Sequence, residues 1–210
     1  MKILVACEYS GIVSEAFYDK GHDVTSCDVL HSESNLINHY QGDVLEILDQ
    51  KWDMMIAFPP CTHLSFAGTR SWNDEGKVFK RLEALNFFAQ LWTADIDKIC
   101  IENPKGCASP TIKKYDQIIQ PYYWGDPVIK TTCLWLKNLP KLTYKPINSL
   151  FGSTEVKPES YHVDSSGKRE KTNRRIKKRG LKLNSFGTND QHERSRFWKG
   201  IANAMAEQWG

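Results

Sequence analysis

The sequence contains no apolar run that approaches the roughly 20 residues a helix needs to cross a bilayer. Its first residues, 1–6, lead into a strand pattern rather than the apolar core and cleavage site of a secretory signal. We therefore expect a soluble, cytoplasmic protein. With 210 residues, of which 40% are hydrophobic and 11% aromatic, the chain is long enough to bury one sizeable core.

Paired cysteine spacings are also missing. The six cysteines include no Cys-x-x-Cys pair and no histidine at a fixed spacing, which argues against a zinc site, so we expect no bound metal. Four of them, at positions 7, 27, 100 and 133, lie in apolar, strand-like runs, where a thiol usually packs as a small hydrophobic group. Cys61 differs, because it follows two prolines in a turn.

Positive and negative charges nearly balance over the whole chain, but positive charge is concentrated in one segment. The net charge is only +3, yet residues 168–182 hold nine Lys and Arg side chains and a single acidic residue, Glu170. Such a block suggests a polyanionic partner, although a solvated, flexible loop is the simpler reading. Its candidate nucleic-acid-binding residues are Lys168, Arg169, Arg174, Arg175, Lys177, Lys178 and Arg179.

The first two thirds of the chain alternate short β-rich runs with longer amphipathic stretches, which is the pattern of βαβ units. It predicts an α/β, Rossmann-like fold with a mainly parallel sheet flanked by helices. The predicted strands are 2–7, 22–28, 54–58, 98–102 and 132–136. The predicted helices include 14–20, 77–92 and 194–209.

Composition divides the chain into three parts. Residues 1–142 carry the alternating pattern and form the expected catalytic core. Residues 143–193 are rich in Pro, Gly, Ser, Asn and charge, so loops or a minimal β insertion are expected there. Residues 194–210 contain the helix that is expected to return to the core.

Reactive side chains follow the predicted strands at their carboxyl ends, where open parallel sheets bind ligands. Cys61 follows one buried strand, and Glu102 and Asn103 end the next. Pro59 and Pro60 restrict the backbone, so the Cys61 thiol should point in a constant direction, as a nucleophile requires. A helix N-terminus or a nearby cation could lower its pKa.

Seven motifs, in order along the chain, resemble those of the cytosine-C5 methyltransferases. Tyr9-Ser10-Gly11-Ile12 resembles that family's cofactor loop, Asp28 its ribose-binding acid, and Gly42-Asp43-Val44 its adenine-contacting segment. The remaining matches are Pro59-Pro60-Cys61, Glu102-Asn103, Trp124-Gly125-Asp126-Pro127 and Ile201-Ala202-Asn203-Ala204-Met205. The resemblance is greatest to the compact type encoded by phages and prophages. It implies that the protein acts in the cytoplasm of a bacterial or phage-infected cell.

The resemblance implies S-adenosylmethionine as cofactor and a pyrimidine as substrate. Cys61, in a loop with Pro60, would add to C6 of the ring while Glu102 hydrogen-bonds N3, and Asn103 would brace the loop. The implied cofactor residues are Tyr9, Ser10, Gly11, Asp28, Asp43, Pro59 and Asn203.

Three departures from the family pattern are visible. Val13 replaces a second glycine of the cofactor loop, and Lys130 and Thr132 occupy the positions of two arginines, so Arg70 is a candidate substitute. Only about fifty residues, between 139 and 194, stand where sequence-specific members carry a large recognition domain. Phe66 and Trp72 are candidates for stacking on a base.

Three functions remain open at this point. The first is methyl transfer to cytosine in DNA, with the basic block binding the phosphate backbone of the DNA. The second is C5 modification of a free pyrimidine nucleotide or a single strand, where no base must leave a duplex. The third is a protein that has lost catalysis and binds nucleic acid or another protein.

Overall fold

The computed structural model describes residues 1–66, 73–126, 130–144 and 196–210, together with the backbone at 148–149 and 152–153. Seven strands form the main sheet: β1 (Lys2–Ala6), β2 (Asp23–Asp28), β3 (Asn38–Gln41), β4 (Met54–Ala57), β5 (Lys98–Asn103), β6 (Gln117–Ile119) and β7 (Thr132–Lys137). The longer helices are α1 (Ile12–Tyr18), α2 (Glu75–Thr93) and α4 (Lys199–Trp209). Shorter elements are α3 (Ala108–Thr111) and the 3-10 turns η1 (Val44–Glu46) and η2 (Pro121–Trp124).

The main sheet is mostly parallel, with the strand order β3-β2-β1-β4-β5-β7-β6. Strands β3, β2, β1, β4 and β5 run parallel, whereas β7 lies antiparallel between β5 and β6. The parallel part follows the doubly wound order in which ligands bind beyond the carboxyl ends of the strands. The structure therefore confirms the predicted Rossmann-like α/β fold. A separate two-stranded ladder pairs β8 (Asn148–Ser149) with β9 (Gly152–Ser153).

The central strands are buried on both faces, as helices on both sides of a sheet require. On one face, Phe17 of α1 and Ile201, Met205 and Trp209 of α4 pack with strand residues such as Ile56. On the other face, Phe88 and Leu91 of α2 form a second cluster, which includes Ala57 and Trp135. Every strand end that carries a candidate site residue is thus fixed between two apolar layers.

The elements agree with the predicted ones except at the sheet margins and in α2. Two short strands, β3 and β6, were not predicted, because their sequences Asn-His-Tyr-Gln and Gln-Ile-Ile lack a clear alternation. Helical spacing places Val78 and Leu82 with the other apolar residues of the predicted helix 77–92, but in the first half of α2 both side chains are exposed. Burial on α2 is confined to Phe88 and Leu91 because only the second half of the helix covers the sheet.

The predicted burial of the cysteines can also be compared with the structure. Cys27, Cys100 and Cys133 are buried, as expected. Cys7 is only partly buried, because it follows β1 rather than ending it and has a left-handed φ of 58°.

Across the described ranges, no helix is long and apolar enough to span a membrane.

Trp209 offers a test of how the last helix is attached. Its side chain is 5% exposed, lies in the cluster with α1, and donates from Nε1 to the Pro140 carbonyl at 3.0 Å. We expect Trp209→Ala to lower the free energy of unfolding by about 3–5 kcal/mol, measured by urea denaturation. Glu207→Ala, on the exposed face of α4, should change it by less than about 0.5 kcal/mol. Equal effects of the two variants would contradict this packing.

Candidate active site

The Cys61 loop leaves β4 and is tied to the structure on two sides. Phe58 N donates to the Ala6 carbonyl at 2.9 Å, which joins the loop to the end of β1. Further on, Cys107 N donates to the Leu64 carbonyl at 2.8 Å, and Phe66 N donates to the Lys105 carbonyl at 3.1 Å. The loop therefore bridges the ends of β1 and β5.

Gly106 makes the second of these attachments possible. A Cβ at this position would lie 2.0 Å from the Leu64 carbonyl oxygen, well inside van der Waals contact. The backbone of residues 105–107 approaches the Cys61 loop so closely that no side chain fits between them. A glycine here is a packing requirement and not a matter of φ.

Asn103 connects the end of β5 directly to the Cys61 loop. Its side chain is 1% exposed, and Nδ2 donates to the Pro59 carbonyl at 2.7 Å. This is the bracing contact that the motif resemblance implies for Asn103. Proline 59 is itself buried, whereas Pro60 and Cys61 are exposed. The bond fixes the backbone two residues before the thiol and leaves the thiol accessible.

Cys61 is the exposed member of the six cysteines, all of which the structure describes. Burial raises the pKa of the Cys27 thiol to about 12 and that of Cys133 to about 11, with additional effects of nearby charges. These thiols are therefore poor nucleophiles at neutral pH. In the described part of the loop, a turn at residues 62–64 follows Cys61.

Glu102 lies half-buried next to Asn103 on β5. The pKa of its carboxyl is raised by burial, while the charge of Lys130 and the hydroxyl of Thr132 oppose the rise. Strand register explains why Thr132 is near: Leu134 pairs with Glu102, and alternation puts Thr132 on the same face of the sheet. Lys130 and Thr132, which stand where the resembling motif has two arginines, thus both lie near the Glu102 carboxylate.

The candidate cofactor residues lie at the neighbouring ends of β1, β2 and β3. Asp28 ends β2, and Asp43 directly follows β3 as the N-cap of η1. Both carboxylates lie near Cys7, because their negative charges add to the effect of burial in raising the pKa of its thiol. Asp28 Oδ1 accepts from Leu30 N at 2.9 Å, and Asp43 Oδ1 accepts from Leu45 N at 3.0 Å. Each carboxylate has a second oxygen that can accept a hydroxyl or amine proton.

The first turn of α1 is organised by Glu8, whose role the sequence did not reveal. This buried carboxylate accepts from Val13 N at 2.6 Å, from Ser14 N at 3.1 Å, and from the Ser14 hydroxyl at 2.5 Å. It caps the helix from a position outside it, which supplies partners for amides at the helix start. The sequence signal was an acidic residue directly after β1, ahead of Gly11.

Gly11 is required both by the backbone conformation and by packing at the start of α1. It caps α1 with a φ of 75°, and a Cβ here would lie 2.5 Å from Ser34 Cβ. Protein, rather than open space, therefore occupies the position that the missing side chain leaves. Tyr9 is buried, and its carbonyl accepts from Glu33 N at 2.8 Å, so residues 32–34 cover this loop.

Some expected site residues are not brought together. Asn203 is exposed on α4, one turn before the exposed Glu207, and its place in the cofactor site stays a prediction. Arg70, Trp72 and the basic block Lys168–Lys182 lie outside the described residues. Phe66 is described and is 44% exposed beside the Cys61 loop. Within the described ranges, no group of three His, Cys, Asp or Glu side chains could hold a metal ion.

Comparisons with known proteins give fold-level likeness only. No model of a protein family and no curated protein matches the chain. Among solved structures, it is similar to an Entamoeba histolytica methyltransferase, EhMeth, with 14% identity, a TM-score of 0.47, and coverage of 69% of this chain and 55% of the other. It is also similar to the S. pombe Dnmt2 methyltransferase, with 16% identity, a TM-score of 0.43, and coverage of 67% and 52%.

A third similar structure is a candidate DNA modification methyltransferase encoded within an E. coli prophage. The identity is 16% and the TM-score is 0.43, with coverage of 65% of this chain and 46% of the other. The chain thus matches about half the length of each of these three proteins.

Removing the Asn103 side chain should measure the bond to the Cys61 loop. We expect Asn103→Ala to lower the free energy of unfolding by about 1–3 kcal/mol, because the Pro59 carbonyl loses its buried donor. Urea denaturation checks this. The control is Asn86→Ala, whose amide donates to Gln90 at 3.3 Å on the exposed surface of α2 and should matter little. A loss below about 0.5 kcal/mol for Asn103→Ala would mean that the bond does not hold the loop.

The raised pKa of Glu102 predicts a pH-dependent effect of Glu102→Gln. A carboxyl whose pKa is higher in the folded state contributes stability below its ordinary value of 4.5, and this contribution is lost as pH rises through the folded pKa. The neutral amide avoids that loss. We therefore expect Glu102→Gln to unfold at higher urea concentration than the wild type near pH 8, with the difference shrinking as pH falls towards 4.5. A constant difference across that range would contradict the raised pKa.

Proposed function

We propose that the chain is a DNA cytosine-C5 methyltransferase that uses Cys61 as its nucleophile and S-adenosylmethionine as its cofactor. The observation that carries this proposal is the hydrogen bond from Asn103 to the Pro59 carbonyl. It joins the two motifs, Pro59-Pro60-Cys61 and Glu102-Asn103, whose pairing the chemistry requires. The exposed Cys61 thiol is thus two residues from the braced Pro59, and Glu102, whose carboxyl pKa is raised by burial, directly precedes the bracing Asn103.

The residues at the ends of β1, β2 and β3 fit an adenosyl group. Asp28 and Asp43 offer carboxylate oxygens, which commonly accept hydrogen bonds from ribose hydroxyls and from adenine. Both acids lie near Cys7 at the ends of neighbouring strands, which supports assigning them to one site. When bound, S-adenosylmethionine supplies a methyl group activated by its sulfonium sulfur.

The chain's own groups supply the rest of the reaction. The Cys61 thiolate adds to C6 of the cytosine ring, and the Glu102 carboxyl donates a hydrogen bond to N3, where electron density accumulates. This addition makes C5 nucleophilic. Loss of the C5 proton and departure of the Cys61 sulfur restore the aromatic ring. Lys130 lies close enough to Glu102 for its charge to lower the carboxyl pKa, and among the described residues it is a cation that could contact a base carbonyl on this side.

DNA is the substrate we favour, since the basic block Lys168–Lys182 has charge for phosphates and no aromatic side chain to stack on bases. Sequence readout by this chain is then weak. Such binding would depend strongly on salt and little on the base sequence.

A mechanism-based trap tests the proposal. With S-adenosylmethionine and DNA that contains 5-fluorocytosine, the wild type should form a covalent adduct, because fluorine at C5 cannot leave as a proton does. Intact-protein mass spectrometry should locate the adduct at Cys61, and Cys61→Ser should form none. Cys27→Ser is the control: the buried Cys27 thiol contacts the Gly42 carbonyl at 3.6 Å, a contact that a serine hydroxyl can retain.

Two other results would redirect the conclusion. An adduct with 5-fluorocytidine monophosphate and none with DNA would identify a nucleotide as the substrate. Failure of the folded wild type to bind S-adenosylmethionine in calorimetry would exclude methyl transfer as the function. A Cys61→Ser protein that still forms the adduct would exclude Cys61 as the nucleophile.

A further inference from the structure

Three consecutive residues before α4 contact three separate parts of the candidate site. Arg196 Nη2 lies 2.7 Å from Glu33 Oε1, and the guanidinium also bonds the Tyr9 side chain. The ring of Phe197 lies 4.7 Å from that of Phe58, which starts the Cys61 loop. The Lys130 ammonium lies 4.7 Å from the centre of the Trp198 ring. We call residues 196–198 the strap.

The strap is fixed in register by its neighbours. Phe197 and Trp198 are 8% and 6% exposed, and both belong to the cluster that joins α1 and α4 to the sheet. Two residues on, Gly200 N donates to Asp126 Oδ2 at 3.0 Å, and a Cβ on Gly200 would lie 2.2 Å from the Trp124 carbonyl oxygen. The strap therefore cannot slide along the sheet edge without breaking these contacts.

One end of the strap reaches the loops that would hold the cofactor. Tyr9 belongs to the loop after β1, and Glu33 belongs to the segment after β2 that covers it. An arginine fork that contacts both groups ties these two loops together from outside. The ion pair is partly exposed, so its contribution is geometric: it limits how far the loops can separate.

The other end of the strap reaches the surroundings of Glu102. A cation over the face of a tryptophan ring is attracted by the ring's quadrupole, so Trp198 restricts where the flexible Lys130 side chain places its charge. Among the described residues, the groups whose charge or hydrogen bonding is linked to Glu102 are Lys130, Thr132, Cys100 and Cys133. Lys130 supplies the only positive charge among them.

We propose that Arg196 and Trp198 are positioning residues for the two halves of the site, with Phe197 as the anchor between them. Arg196 holds the loops of Tyr9 and Glu33 in the arrangement that binds the cofactor, and Trp198 holds Lys130 beside Glu102. The inference rests on the proposed function, since it assigns one half to the adenosyl group and the other to the pyrimidine.

The cofactor half is tested with S-adenosylhomocysteine in calorimetry. Arg196→Gln and Glu33→Gln should each raise the dissociation constant about tenfold, a coupling of ordinary size. The double variant should be no weaker than either single one, because both act through one contact. Lys199→Gln, which removes the next exposed cation along the chain, should bind as the wild type does. Unchanged affinity in Arg196→Gln would overturn this half of the proposal.

The substrate half is tested without any ligand, by the pH dependence of unfolding described for Glu102→Gln. In a Trp198→Leu background, Glu102→Gln should stabilise the protein more at pH 8, and this stabilisation should level off at a higher pH, because Lys130 no longer keeps its charge near the carboxyl and the folded-state pKa of Glu102 rises. Trp198→Phe retains an aromatic face and should restore the wild-type size of the effect. A merely structural role for Trp198 would lower stability at every pH and leave the effect of Glu102→Gln unchanged, which would overturn this half.

The two tests separate the inference from the function on which it rests. If the folded wild type does not bind S-adenosylhomocysteine, the proposed function fails and the cofactor half falls with it. If the wild type binds it and the Arg196 and Glu33 variants bind equally well, the proposed function stands and the positioning role of Arg196 is wrong.

Discussion

The hydrogen bond from Asn103 to the Pro59 carbonyl is the contact on which the geometry of the candidate site depends. It joins the carboxyl ends of β4 and β5, which are adjacent in the sheet but 44 residues apart in the chain. A proline carbonyl in a buried position needs a donor, and the Asn103 side chain supplies it. Glu102, the residue before Asn103, is thereby held on the opposite face of the same strand end.

This arrangement lets neighbouring residues do opposite tasks. Alternation along β5 sends the Asn103 side chain into the structural contact and the Glu102 side chain to the face that carries Thr132. The end of β5 therefore provides a structural side chain, Asn103, and a candidate catalytic side chain, Glu102, on opposite faces. A similar division of roles is found after β1, where buried Glu8 caps α1 while Tyr9 and Gly11 form the loop that residues 32–34 cover.

Much of the fold could be predicted from the sequence, because buried parallel strands read as apolar runs, and β1, β4 and β5 are such runs. The polar strand β3 lies at the edge of the sheet, where burial imposes no pattern, and it was missed. The exposed start of α2 was misassigned for a related reason: periodicity shows that Val78 and Leu82 share a helix face, but not whether any element covers that face. Coverage is a tertiary property.

The candidate site shows the same division between local and tertiary information. Position along the chain was enough to place Cys61, Glu102 and Asn103 at one sheet edge. The proximity of Lys130 and Thr132 to Glu102 was not predicted, because it depends on the antiparallel register of β5 and β7. The strap could not be foreseen, since Arg196 is separated from Glu33 by 163 residues and no spacing rule relates the two.

Lys130 and Thr132 stand where the resembling motif has two arginines, and the two kinds of side chain differ in what they can recognise. A guanidinium offers a planar fork that can contact a carbonyl and a carboxylate together, whereas an ammonium is a compact charge on a flexible stem. Such a charge needs an external constraint before it can act at a fixed place, and the Trp198 ring lies 4.7 Å from it. The loss of rigidity at position 130 is thus offset by an aromatic side chain from the far end of the chain. Because that side chain belongs to the segment that also anchors α4, the packing of the last helix and the placement of the charge beside Glu102 are set by the same residues.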